Sequence, residues 1–251
     1  MPVNYARRLT GRKRTPGANR HLGLTLAFVA GAINAGGFLA VRQYTSHMTG
    51  IVSAIADDLA LGNPVLVLGG LGALLSFLLG AGCSAVMINY SRQRDMHSEY
   101  ALPLLLEAGL LLCFGLLGAR LSHVPGLFVP VTVMLLCFIM GLQNAMITKL
   151  SRAEIRTTHL TGVLTDIGIE VGKLAYWNRA SATNQPVRAD RDRLIVLVSL
   201  VMCFFVGGIA GAVGFSHVGY VSTVPLALLL VLLAAVPTAD DVRHYFRQRM
   251  R

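Results

Sequence analysis

Six stretches of this chain are apolar over about the length of a membrane-spanning helix, and this constrains the fold more than any other feature. The first, His21 to Val41, reads HLGLTLAFVAGAINAGGFLAV and contains no Asp, Glu, Lys or Arg. The others are Val65–Ile88, Ala101–Ala119, Val124–Thr148, Leu194–Phe215 and Val218–Val236. A helix crosses a bilayer in about 20 residues. Lipid offers the backbone no hydrogen-bond partners, so only helices or a closed barrel can span it. The runs lack the alternation of barrel strands. The expected fold is therefore all-α, a polytopic transmembrane helix bundle. Composition points the same way: 14% of the 251 residues are charged, against about 25% in soluble domains.

The net charge of +10 is explained by topology and does not call for nucleic acid. With the N-terminus inside, segments 1–20, 89–100, 149–193 and 237–251 face the cytoplasm and hold 20 of the 22 Lys and Arg. Only Arg42 and Arg120 remain outside. Basic residues collect in cytoplasmic loops, so six spans with both termini inside are expected. Arg7-Arg8 opens a basic stretch, but the following apolar run is full length and lacks a small-x-small cleavage site. That reads as a cytoplasmic tail, 1–20, and a first span. Cys83, Cys113, Cys137 and Cys203 lie inside apolar runs and are expected to be free thiols.

The chain also repeats itself. GAINAGGFLAVRQYTSHMTG from Gly31 is matched by GLQNAMITKLSRAEIRTTHLTG from Gly141. Gly31, Asn34 and Ala35 pair with Gly141, Asn144 and Ala145. Thr45, His47, Thr49 and Gly50 pair with Thr157, His159, Thr161 and Gly162. FLLGAGCSA from Phe77 resembles FFVGGIAGA from Phe204. The expected organisation is a first membrane repeat at 21–120, a second at 121–237 with a cytoplasmic loop at 178–193, and a basic tail at 238–251. Three spans per unit put the second unit in the membrane upside down, giving inverted repeats of the kind found in transporters. Segments 49–62 and 161–177 are short and carry Asp57, Asp58, Asp166, Glu170 and Lys173. They are expected to be re-entrant or broken helices, with full spans as the open alternative.

The paired G-x-x-N-A and T-x-H-x-T-G motifs resemble those of the DUF1275 family, also called the YoaK or UPF0700 family of bacterial membrane proteins. The resemblance covers roughly residues 20 to 237. Asn34 stands where many members carry Asp, and Ile51 and Val163 follow the motif glycines where many carry Asn. The resemblance implies six spans in an inner membrane and no particular activity.

The motif residues are the candidate substrate site: Asn34, His47, Thr49, Gly50, Ser53, Asn144, His159, Thr161 and Gly162. A helix starting near Thr49 or Thr161 presents its unpaired N–H groups, with Thr45–Ser46 and Thr157–Thr158 as candidate caps. Thr49, Ser53 and Asp57 recur at spacing four and share one helix face. Caps and interhelical hydrogen bonds are the structural alternative for all of these. Glu107, within LPLLLEAGLLL, is a candidate proton-coupling group, because an ionisable residue inside a span is a functional candidate by default, and Asp57, on the polar face shared with Thr49 and Ser53, is a second candidate. His47 and His159 stand apart from other ligand-type residues, so no metal site, cofactor or catalytic centre is expected. The expected function is secondary transport of a small molecule or ion, at a central site formed by the two T-x-H-x-T-G segments. The alternative is a non-transporting membrane-embedded binding or regulatory protein. The expected partners are the lipid bilayer and an unknown substrate, with a homo-oligomer left open.

Overall fold

The apolar runs become helices in a computed structural model that describes residues 16–94, 96, 98–121, 125–150, 160–176 and 187–249. In chain order they are α1 (Pro16–Val41), α2 (Met48–Ala60), α3 (Pro64–Gln93), α4 (Ala101–Leu121), α5 (Pro125–Leu150), α6 (Leu160–Ala175), α7 (Arg191–His217), a 3-10 turn (Gly219–Ser222) and α8 (Thr223–Arg249). No strand occurs among the described residues. Among the described residues, five segments are long and apolar enough to cross a membrane: Gly17–Val41, Pro64–Gln93, Ala101–Arg120, Val129–Lys149 and Arg191–His217. The sixth apolar stretch, Gly219–Ala235, is shorter. α2 and α6 are separate short helices and fall outside the spans.

Some boundaries differ from the sequence reading. α7 begins at Arg191, within the stretch read as loop, because Asp190 caps it by accepting from the Arg193 N–H at 3.0 Å. α8 continues through the stretch read as a tail, where residues 238–249 contain no Gly or Pro to stop it. α1 starts at Pro16, a residue suited to a first helical turn. α1 ends at Val41 and Arg42 takes a left-handed φ of 57°, a helix-stopping conformation unusual for a residue with a Cβ. There the chain reverses direction.

The centre of the bundle is α1 against α5. Leu26 lies opposite Gln143 and Gly37 opposite Leu136, so the two helices run antiparallel. α7 packs along α1, and α3 packs along α5, each pair parallel. α4 and α8 pack on each other antiparallel, with Gly115 at Thr223 and Gly118 at Tyr220. Phe114, Phe215 and Tyr220 close that end of the bundle through edge-on and tilted ring contacts.

One backbone contact recurs. A Cβ on Gly31 would overlap the Phe204 carbonyl, and one on Gly207 would overlap the Phe28 carbonyl. Likewise, a Cβ on Gly141 would overlap the Phe77 carbonyl, and one on Gly80 the Phe138 carbonyl. Lipid supplies no hydrophobic force to hold helices together, so close backbone approach at small residues does that work. α1 and α5 are the most buried spans, while α3 and α7 turn most of their surface outward.

Candidate functional site

The first motif folds back from the end of α1. The Ser46 hydroxyl donates to Asn34 Oδ1 at 2.9 Å, two turns below the helix end. Tyr44 stacks on Phe38, centroids 4.5 Å apart. From the other side the Cys137 thiol donates to the Thr45 carbonyl at 3.5 Å. Thr45 and Ser46 therefore lie between α1 and α5, beside Asn34 and about 10 Å in from the end of α1, while residues 42–44 are exposed. The Thr45 side chain is fully buried.

The capping role expected of Thr45 and Ser46 goes elsewhere. The residue in the N-cap position of α2 is His47, which makes no side-chain cap bond, while Ser46 is taken by Asn34. The His47 ring occupies the space that a Cβ on Gly50 would fill. In this first copy the His and the Gly of the motif are thus in direct contact. His47 itself is exposed. Thr49, Ser53 and Asp57 do share one face of α2, but all three are exposed and line none of the cavities described here.

In the second copy, Thr157, Thr158 and His159 lie outside the described residues. Thr161 and Gly162 are exposed at the start of α6. Their neighbour Leu160 is more informative. It lines a cavity of about 460 Å³ together with Gly31, Asn34, Tyr44, Phe204 and Gly208. The second motif segment thus meets the G-x-x-N-A motif of α1 at one cavity, while the first motif is represented there only by Tyr44, the residue before it. Its walls are largely aromatic and aliphatic, and Asn34 supplies the side-chain amide.

Asn144 is buried on α5. The α1–α5 register sets it about 10 Å along the axis from Asn34, so the two amides do not share a pocket. Its neighbour Gln143, which the sequence reading passed over, donates from Nε2 to the Leu26 carbonyl at 3.1 Å and ties the two central helices together. Glu107 is fully buried on the inward face of α4 with Leu104, Leu111 and Phe114. Neither of its carboxyl oxygens has a hydrogen-bond partner among the described residues. Among those residues, no three His, Cys, Asp or Glu come together as a metal site.

Two further features were missed by the sequence reading. Asp58, adjacent to the expected Asp57, lines a second cavity of about 320 Å³ between α2, α3 and α5. Its repeat counterpart Glu170 is buried on α6, where Lys173 Nζ donates to it at 2.8 Å and the Asp190 N–H at 2.9 Å. Arg193 stands 3.9 Å from Glu170 and 3.0 Å from Asp166. The Lys173 hydrogen bond, then the Asp190 N–H, hold the Glu170 carboxyl below the usual glutamate range.

Residues 22–236 match the family described as "Protein of unknown function (DUF1275)". The UPF0700 transmembrane protein YoaK of Bacillus subtilis (strain 168) is 25% identical over 212 residues, covering 83% of this chain and 89% of its own length. No solved structure matches the chain. A family match over nearly the whole length, joined to five helices of spanning length, leads to one conclusion: this chain is a membrane protein of the DUF1275 family.

Proposed function

We propose that the protein is a secondary transporter of a small molecule or ion, built as six spans in two inverted three-span repeats in the bacterial inner membrane, both termini cytoplasmic. The observation that carries this reading is the cavity at Asn34, lined by residues of both halves, Gly31 and Tyr44 from the first and Leu160 and Phe204 from the second. A site shared by two halves of opposite orientation is what alternating access requires. The antiparallel pairing of α1 with its repeat counterpart α5 supports the inversion, and so does the one-sided distribution of Lys and Arg. α2 and α6 fit re-entrant segments, each turning back toward the start of the next long helix.

Metabolite profiling of cells with and without the protein identifies the substrate, and uptake into proteoliposomes then tests transport. Asn34→Ala is expected to lower uptake at least tenfold while the protein still inserts. Saturable binding with no uptake under any ion gradient would favour the binding or regulatory alternative. For coupling, Glu107→Gln is expected to abolish pH-driven accumulation and spare exchange at equal pH. His47→Gln and His159→Gln run in parallel as rival carriers. Single cysteines at Gln93 and Arg188, on a background lacking the native ones, should resist impermeant reagents applied outside, whereas cysteines at Asn63 and His217 should react. Outside labelling at Gln93 would overturn the six-span topology.

A further inference from the structure

The two repeats treat the same acidic position differently. Asp58 on α2 and Glu170 on α6 occupy equivalent places, each nine residues after the motif threonine, Thr49 or Thr161. Glu170 is neutralised within the chain by the Lys173 ammonium at 2.8 Å, one turn further along the helix, and by the Asp190 N–H. At the place equivalent to Lys173, α2 is followed by Leu61, an exposed aliphatic residue. Among the described residues the Asp58 carboxylate accepts only a long bond, 3.4 Å, from Asn63 Nδ2 to Oδ1. It makes no ion pair among the described residues. In the first repeat Asp58 instead borders an open volume of about 320 Å³.

We infer that this cavity binds a small organic cation carrying a primary ammonium group, with the ammonium on the Asp58 carboxylate and its hydrocarbon part between α3 and α5. The volume is at the small end of ligand pockets, which run from about 300 to 1,000 Å³. Asp58 and Gln43 are the polar side chains of the lining, and Ala54, Val65, Ala73 and Val133 are among the apolar ones. A bare calcium or magnesium ion would want six or more oxygen ligands, which this lining lacks. An alkylammonium ion matches a lining with one charged end and an aliphatic body. A carboxylate bordered by apolar walls attracts a cation more strongly than one in water does. The Lys173–Glu170 contact is the intramolecular version of the same recognition. This site is separate from the cavity at Asn34, and its occupancy does not depend on whether the protein transports.

The test uses the purified full chain in nanodiscs, titrated calorimetrically with n-butylammonium chloride, and in parallel with n-butanol and with tetramethylammonium chloride. Saturable butylammonium binding is expected, at least tenfold tighter than either control. Asp58→Asn should weaken it at least tenfold. Two variants reach the same outcome with Asp58 intact. Leu61→Lys places an ammonium where Lys173 sits in the other repeat and should compete. Gly69→Leu adds a side chain to the cavity wall at a glycine whose Cβ would meet nothing within 4 Å, and should block entry. Asp57→Asn, on the exposed face, should leave affinity within twofold. The proposal is overturned by an absence of saturable binding to the folded wild type. Butanol or tetramethylammonium binding as tightly as butylammonium overturns it too, as does affinity unchanged in both Asp58→Asn and Leu61→Lys.

Discussion

α2 and α6 occupy equivalent places in the two repeats and are anchored by different chemistry. α6 is tied to the start of α7 by charge: Arg193 to Asp166, Lys173 and the Asp190 N–H to Glu170. α2 is tied to the start of α3 mainly by shape, with Ile55 filling the space over Gly70 and Asn63 reaching back to Asp58. The long helices around them are far more alike. Gly31 and Gly207 touch phenylalanine carbonyls across α1 and α7 in the same way that Gly141 and Gly80 do across α5 and α3. Backbone approach tolerates no side chain, so the repeat persists there. A polar anchor can be replaced by an apolar one, and at the short helices the two copies have diverged.

The largest expected effect tests the conserved half of this comparison. Alanine at Gly31, Gly80, Gly141 or Gly207 forces apart two backbones that already touch. Each should cost about 3 kcal/mol or more, the upper range for overpacking. The costs should match within each pair, Gly31 with Gly141 and Gly80 with Gly207. Alanine at Gly69 or Gly172, where a Cβ meets nothing, should stay within about 0.5 kcal/mol. Unfolding in mixed detergent micelles measures all six. Equal costs at the tight and the open glycines would remove backbone contact as the shared skeleton.

Next in size is Glu107, which has Leu229 as its counterpart in the other repeat when Pro103 is paired with Pro225. A buried carboxyl without partners destabilises by about 1–3 kcal/mol. Glu107→Met should therefore raise stability by about that amount in the same assay. A loss of stability would mean that the carboxyl is held by a partner acquired in the membrane.

These cases also show what could be read from the chain alone. Span lengths and the all-helical class follow from uncharged runs such as His21–Val41, because lipid leaves the backbone few options. The doubled motifs were visible, and so was the shared face of Thr49, Ser53 and Asp57. Which way that face points was not, because it depends on helices α3 and α5, far along the chain. For the same reason the sequence favoured Asp57 over Asp58. Ser46 looked like a cap because serine often is one, but a nearby amide, Asn34, competes for its hydroxyl. Leu160 carries no chemistry that would single it out, yet it brings the second motif to the Asn34 cavity.

The ionic anchor of α6 predicts a pH dependence for the second repeat. Glu170 is held below the usual glutamate range by Lys173 first and the Asp190 N–H second. A lowered carboxyl pKa contributes stability that is present above the unfolded value, about 4.3, and lost as pH falls through the folded value beneath it. Hydrogen exchange in α6 should therefore stay slow through neutral and mildly acidic pH and quicken only below about pH 4. Lys173→Met should move that onset to higher pH. An unmoved onset would take Lys173 out of the anchor.

The smallest effect separates the two repeats at a single equivalent residue. Asn63 precedes α3 and Asp190 precedes α7, each in the N-cap position. Asp190 uses its carboxylate as a cap, accepting from the Arg193 N–H at 3.0 Å. Asn63 makes no side-chain cap bond, since its amide donates backward to Asp58. Removing a working cap costs about 1 kcal/mol, and removing a residue that does not cap costs little. Asp190→Ala should thus destabilise by about 1 kcal/mol. Asn63→Ala should stay within about 0.5 kcal/mol, because Pro64 at the first helical position already lacks one N–H that would need a partner. The backbone N–H of residue 190 survives the substitution, so the Glu170 contact should persist and the pH onset in α6 should hold. If Asn63→Ala costs as much as Asp190→Ala, Asn63 caps α3 in the membrane, and the two repeats are more alike at their helix starts than their side chains indicate.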